Sequence, residues 1–348
     1  VAQWQFITQA RNGAQIADQT GLRDRRLLFQ LNQPPILSAK LRVNDPRAKR
    51  DSSGGLAPGV HEMKVYRDGE AVESVYQLVR VGESGTADTI TLDLEWRGIA
   101  SYLQDALVYP QAAAYSSTTL PWTWINTFQS RTGGSYGITQ GAVTGTPPNR
   151  QISIQQEAGL FDSINSLSSS GDGFDWAINA SRQYVEWHSA RGADNGIVLE
   201  PGVNVTEWSF DENTGPGEIV TDLLVNGPPG SQQVAASDST ARTLYGRREA
   251  AATFFADFEP TSVTNGQLQA HADAAMADYI APVIIPQIRL VKNHPSIPWG
   301  SYWLGDIVTF RVRVGAYDWI NAPYRIVQID VSLDDNNNET IALGVNAL

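Results

Sequence analysis

Four arrangements in this 348-residue chain hold residue types that could do chemistry. Gly133-Gly134-Ser135-Tyr136-Gly137 has the spacing of a nucleophile elbow, in which a strand enters, a helix leaves and the serine is forced onto a strained, exposed turn. Here a helix-like segment enters and a Thr/Gly/Pro-rich stretch leaves, so the segment reads as a loop. Asp334-Asp335-Asn336-Asn337-Asn338 supplies the first oxygen ligands of an EF-hand-type calcium loop. The sixth position of such a loop needs glycine and holds Glu339, and the twelfth needs an acid and holds Val345, so an Asn-rich hairpin turn is expected. Glu186-Trp187-His188 sets a carboxylate beside an imidazole, with Glu207, Asp211 and Glu212 near in sequence. Paired acids flanking an aromatic platform could hydrolyse a glycosidic bond, but adjacent strand residues face opposite ways and no second signal accompanies these acids. His61, His188, His271 and His294 lack the close spacings of metal ligands.

Composition removes further classes. With no cysteine there is no disulfide framework, thiolate zinc site, iron–sulfur cluster or cysteine nucleophile. No phosphate-binding loop or dinucleotide fingerprint is present. A net charge of −12 opposes wrapping of nucleic acid, and the basic cluster Arg47, Lys49, Arg50 reads as a solvated loop. Val1 opens a polar stretch without the basic and apolar regions of a signal peptide, and no apolar run is long enough to span a bilayer. The chain is therefore expected to be soluble, with no stable membrane insertion. No catalytic, cofactor-binding or metal-binding residue is nominated, no cofactor is expected, and the expected answer to whether this is an enzyme is no.

The elements carrying these residues follow from periodicity. Alternation at period two marks strands with one buried face: Leu27, Phe29, Leu31; Ala39, Leu41, Val43; and Ile90, Leu92, Leu94, Trp96. Met63–Tyr66 and Val72–Val81, joined by Arg67-Asp68-Gly69-Glu70, predict a hairpin, because Asp-Gly supplies the positive φ of a tight turn. From Gly98 the period becomes helical. Ile99, Tyr102, Leu103 and Ala106 predict a helix ending at Tyr109-Pro110; Trp122, Ile125 and Phe128 predict a second; Leu160, Phe161, Ile164 and Leu167 predict a third. Phe174–Ile178 and Tyr184–His188 read as a hairpin among them.

Strands return with Ile219, Thr221, Leu223 and Val225 before the loop Asn226-Gly227-Pro228-Pro229-Gly230. A helix near 267–279 is predicted from Leu268, Ala272, Ala275 and Tyr279, opened by a Thr264/Gln267 capping box and ended by Pro282. Val308, Phe310, Val312, Val314, then Val327, Ile329, Val331, then Ile341, Leu343, Val345 give three closing strands. The expected fold is mainly β with an α+β insertion. Two antiparallel β-barrel-like domains, residues 1–110 and 200–348, flank a mixed middle domain at 111–199.

Several stretches resemble the tail-hub (tail-tip, baseplate-hub) proteins of long-tailed bacteriophages. Glu95-Trp96-Arg97-Gly98 running through Tyr102-Leu103 to Val108-Tyr109-Pro110 looks like the end of that family's first hub domain. Gly173-Phe174-Asp175-Trp176 is similar to a middle-domain strand of minor tail proteins from phages of actinobacteria. Thr221–Gly227, Leu244-Tyr245-Gly246-Arg247-Arg248-Glu249, the helix at Gln267–Tyr279 and Trp303-Leu304-Gly305-Asp306-Ile307-Val308 follow the family's C-terminal order.

The resemblance implies a structural virion protein at the phage tail tip. It would be a homotrimer whose two barrel-like domains per chain form a near-sixfold ring. The distal tail ring, tape measure and tip or receptor-binding proteins would be its partners, with transient passage of DNA and no sequence-specific nucleic-acid binding. The chain stops at Leu348 after the last barrel strand, so host-binding or peptidoglycan-cleaving activity is expected from another protein. Two other classes stay open: a cell-wall glycan hydrolase or lyase using the acids above, and a carbohydrate-binding receptor protein stacking sugars on Trp122, Trp124 and Trp187.

Overall fold

The computed structural model describes residues 2–49, 55–86, 89–108, 115–117, 120–131, 135–147, 150–152, 158–169, 173–188, 190–212, 219–228, 232–254, 263–280, 283–314 and 317–348. Val1, Arg50, Tyr109-Pro110, Gly133-Gly134, Pro229-Gly230 and Pro282, named above, lie outside these residues.

The first part of the chain forms strands β1 (Trp4–Ala10), β2 (Gln15–Asp18), β3 (Arg23–Gln30), β4 (Ile36–Arg42), β5 (His61–Arg67), β6 (Glu70–Thr86) and β7 (Thr89–Gly98). A 3-10 helix at Ile99–Leu103 leads into β8 (Tyr115–Ser117), α1 (Leu120–Gln129), β9 (Thr139–Thr144), β10 (Arg150–Ile152), α2 (Leu160–Ser168), β11 (Asp175–Ile178) and β12 (Gln183–Trp187). Then come β13 (Asp194–Leu199), β14 (Val205–Glu212), β15 (Asp222–Asn226), β16 (Gln233–Ser237), α3 (Ser239–Tyr245), β17 (Glu249–Thr253) and α4 (Asn265–Tyr279). The chain closes with β18 (Val283–Leu290), β19 (Ile307–Val314), β20 (Tyr317–Leu333) and β21 (Glu339–Ala347).

The fold is mostly β, built on one large curled antiparallel sheet with small mixed sheets beside it. The large sheet joins the two ends of the chain, in the order β14-β18-β21-β20-β3-β4-β7-β6-β5-β1-β2, with β19 and its parallel neighbour β13 branching from β20. Strand β20 is the joint: its first half pairs with β19, and its second half lies between β21 and β3. Val331 opposite Leu27 and Ile329 opposite Phe29 are fully buried cross-strand pairs, so the two ends share one apolar core. Burying each such side chain contributes about 1.5–3 kcal/mol. A shift of register at Ile326/Gln328 switches the inward set from Tyr324 and Ile326 to Ile329, Val331 and Leu333. Val327, expected inward, is therefore only partly buried.

A second core holds the helices together. It combines Leu103, Trp124, Leu160, Ile164 and Trp176 with Leu223, Val225, Leu268, Ala272 and Met276. The sheet β16-β15-β17 packs on α4 and shares this core, so residues 219–228, 232–254 and 263–280 sit with the middle segment although β14, a strand of the large sheet, intervenes in the chain. The two cores meet where β7 runs into the 3-10 helix.

Several expectations change in detail. Val1–Gln5 read as merely polar, yet Trp4, Phe6 and Thr8 turn inward along β1; the buried polar Thr8, bonded by Gln19 Nε2 at 2.9 Å, hides the alternation. The helix expected from Ile99 to Ala106 is a short 3-10 turn, because burial on every side replaces the amphipathic stripe a longer helix needs. Helix α1 buries Leu120, Trp124 and Ile125, leaving Trp122 and Phe128 partly buried. The Thr/Gly/Pro-rich stretch after Gly137 forms β9, parallel to β12. In α4 the Thr264/Gln267 capping box forms as expected, while His271 and Met276 are buried and Tyr279 is exposed.

The burial of His271 makes stability depend on pH. Its ring meets Phe254 edge-on at 3.7 Å between centroids, and burial lowers its pKa to about 4 from the ordinary 6.5. The unfolded chain takes up this proton at a higher pH than the folded one, so the contribution is fully present above 6.5 and lost as pH falls towards 4. Urea midpoints measured between these limits should fall by the equivalent of roughly 2 kcal/mol, allowing for partial hydration, with a shallower fall in His271→Gln.

Candidate functional site: the seam between sheet and helical body

None of the chemistry-bearing motifs assembles a catalytic group among the described residues. Ser135 is exposed after a helix and before a strand, the reverse of an elbow, and its Oγ accepts from the Gly137 amide at 3.4 Å. Asp334 closes a hairpin turn between β20 and β21. Its Oδ1 accepts from the amides of Asn336 and Asn338, both at 2.8 Å, and its Oδ2 from Asn338 Nδ2 at 2.8 Å. The Asn338 side chain chiefly holds this carboxyl below the usual range. Glu339 turns away from the turn and is clamped by Arg67, whose Nε and Nη2 donate at 3.1 and 2.7 Å, with Trp4 Nε1 at 3.2 Å.

Glu186, on β12, and His188, just beyond it, hydrogen-bond at 2.8 Å; both side chains are buried, and the Phe174 ring packs on that of His188. Glu207 is exposed and paired with Arg289 at 2.5 Å, and the side chains of Asp211 and Glu212 lie outside the described residues. Trp124 is buried, Trp122 is partly buried, and Trp187 lies under the Arg191 guanidinium at 4.7 Å. His61 Nδ1 accepts from the Ala57 amide at 3.1 Å and His294 Nδ1 contacts Ser296 Oγ at 2.8 Å. Among the described residues no group of three or more acids and histidines is placed to hold a metal. No helix there is long and apolar enough to cross a membrane.

What the fold does assemble is a charged seam. Asp175, at the start of β11, is buried and accepts from the Arg191 amide at 2.5 Å, from Asn32 Nδ2 at 3.3 Å and from the Arg325 guanidinium. Arg191 in turn donates to both oxygens of Glu73, at 3.0 and 3.2 Å. Asn32, at a positive φ of 57°, also accepts the Trp176 amide at 2.8 Å. One carboxylate thus ties the β3–β4 turn, the helical body and β20 together.

Gly305-Asp306, singled out in the sequence, crosses the chain at this place. Gly192 and Gly305 lie at φ of 92° and 90°, and a Cβ on either would overlap the backbone of the other's segment. That approach aims Asp306 Oδ1 at the Ala193 amide (2.9 Å) and Oδ2 at the Trp303 amide (2.7 Å) and Asn195 Nδ2 (3.1 Å). A second tie joins Arg182, after β11, to buried Glu62 on β5. Burial and pairing fix these charges in place, so the arrangement can transmit force and hold geometry but presents no nucleophile or proton relay to a substrate. Asp175 and Asp306 lay within stretches noted in the sequence. Arg325 and Arg191 did not, although a charge between apolar Tyr324 and Ile326 is a signal that could have found the first.

In fold the chain is similar to solved phage tail proteins. The chain is similar to the 43 kDa tail protein of prophage MuSo2 from Shewanella oneidensis, with a TM-score of 0.70 and 15% identity over 99% of this chain and 97% of that one. It is similar to a tail protein from Neisseria meningitidis MC58, with a TM-score of 0.63 and 13% identity over 98% and 96% of the two chains. A third likeness is to the E. coli c3393 protein, a type VI secretion component described as structurally similar to T4 bacteriophage tail proteins gp27 and gp5. There the TM-score is 0.53 and the identity 11%, over 94% of this chain and 73% of that one. No family model matches the sequence. No curated protein matches it either. At these identities the likeness is one of fold.

Proposed function

We propose that the chain is the trimeric hub of a phage tail tip, a structural component of the virion that joins the tail tube to the tip around the DNA exit channel. The observation that carries this reading is the match to a prophage tail protein along 99% of the chain. The likeness to a secretion component compared with T4 tail proteins favours a place near the spike end of the tail. In this reading residues 1–110 and 200–348, expected from sequence as two barrel-like hub domains, contribute the two halves of the shared curled sheet, and residues 111–199 form the insertion, with the sheet β16-β15-β17 and α4 packed on it. Three copies then present six such domains to a hexameric tail ring, and partners are the distal tail ring, tape measure and tip or receptor-binding proteins.

The hub has no catalytic activity of its own. A charge of −12 per chain, hence −36 for three copies, suits a lumen through which phosphates slide instead of being held by counterion release. Light scattering and particle imaging are expected to give a threefold assembly. A stable monomer both in solution and in assembled particles would overturn the reading, and tight retention of DNA by the trimer at moderate salt would overturn the channel assignment.

A further inference from the structure

A cleft of about 680 Å³ opens where the β5–β6 hairpin, the turn after β11 and the loop before β19 meet. Its volume lies within the range of about 300–1,000 Å³ usual for small-ligand sites. Trp299 and Trp303 line it, packed edge to face at 5.3 Å between centroids and each only partly buried. Around the rings stand Asp68, Glu70, Glu73 and the turn Asn179-Ala180-Ser181.

The wall is held before anything binds. Trp303 Nε1 donates to Glu73 Oε2 at 2.7 Å, Glu73 is clamped by Arg191, and Asp68 accepts from the Gln3 amide at 2.8 Å and from Arg67 at 3.0 Å. In β6, residues 72–74 bulge between the pairs Lys64–Val75 and Tyr66–Ala71, with Glu73 at a φ of 42°. Such a bulge re-aims side chains.

The lining selects a chemical class. Three carboxylates oppose phosphates and other anions, while the Arg67 guanidinium, 4.7 Å over the Trp299 ring, opposes a second cation there. What satisfies both signs is a neutral ligand with paired donors and acceptors on its rim and an apolar face for the indole rings. A pyranose has this construction: C–H groups on its face and hydroxyls around its edge. Glu70 is exposed, forms no ion pair among the described residues and is free to accept two vicinal hydroxyls.

We propose that this cleft is a binding site for a neutral oligosaccharide, distinct from the Trp122, Trp124 and Trp187 positions considered from sequence. The test uses the full chain with chitotetraose, cellotetraose and maltotetraose as probes, and tetralysine as the cationic comparison. Binding is followed by tryptophan fluorescence and saturation-transfer NMR. At least one tetrasaccharide is expected to bind below about 1 mM, and Glu70→Ala and Ala180→Trp are each expected to weaken it by about tenfold or more without moving the thermal midpoint. Glu70 is exposed and Ala180 sits in a turn, so both variants fold. No sugar bound below about 1 mM, binding unchanged in either variant, or preference for tetralysine would each overturn the proposal.

Discussion

Replacing Asp175 with alanine is expected to lower the unfolding free energy by about 3–5 kcal/mol, the usual cost of removing one partner from a buried ion pair. The loss is large because three groups depend on this carboxylate. The Arg325 guanidinium, the Arg191 amide and the Asn32 side chain all donate to it. Once it is gone, a partly buried cation and a buried amide keep their desolvation cost with nothing in return. Asp175→Asn keeps the shape and an acceptor oxygen but not the charge, and should lose about half as much. Chemical denaturation resolves the difference, and limited proteolysis between 111 and 199 reports whether the helical body loosens first. An alanine variant as stable as the parent would show that the seam contributes little.

The second large effect is expected at Gly305→Ala. An added Cβ would overlap the carbonyl of Arg191, which is backbone and cannot turn aside, and the φ of 90° is strained for any L side chain. Gly300 makes the comparison direct. It has a similar φ of 88° with nothing within 4 Å of an added Cβ, so Gly300→Ala carries only the conformational cost, about 1–2 kcal/mol. Gly305→Ala should exceed it by at least about 2 kcal/mol, because residues 305–306 must withdraw from 191–192 and Asp306 loses its amide partners. Asp175→Ala combined with Gly305→Ala should cost less than the sum, since both open the same seam. Equal costs at the two glycines would refute the close-approach argument.

Much of the fold was legible in the residues themselves. The rows at Leu27–Phe29 and Leu92–Trp96 are strands because a half-buried sheet demands alternation, while the row at Ile341–Val345 belongs to a strand buried on both faces there. Asp68-Gly69 turns the β5–β6 hairpin at φ of 52° and 89°. All four apolar residues predicted for α2 are buried, and the α4 cap forms on the residues that suggested it. These features are local: spacing, turn chemistry and capping act within a few residues, so they survive without knowledge of the rest of the chain.

Non-local pairing was not legible. Nothing in Val331 or Leu27 says that they face each other, so two stretches that read as separate β segments close into one sheet through β20. Burial likewise decided between Trp122 and Trp124 in α1, where the helical period admits either.

The chain by itself determined the β-rich class, the positions of most elements, the absence of cysteine chemistry, and an order of stretches that resembles tail hubs. Only the tertiary structure decided that Glu73, Arg325 and the pair Asp175 and Arg191, drawn from three separate regions of the chain, form one seam, and that Trp299 and Trp303 line a cleft. The physical reason is that a buried charge or an aromatic wall takes its meaning from what is packed against it, and that is set by the closing of the sheet.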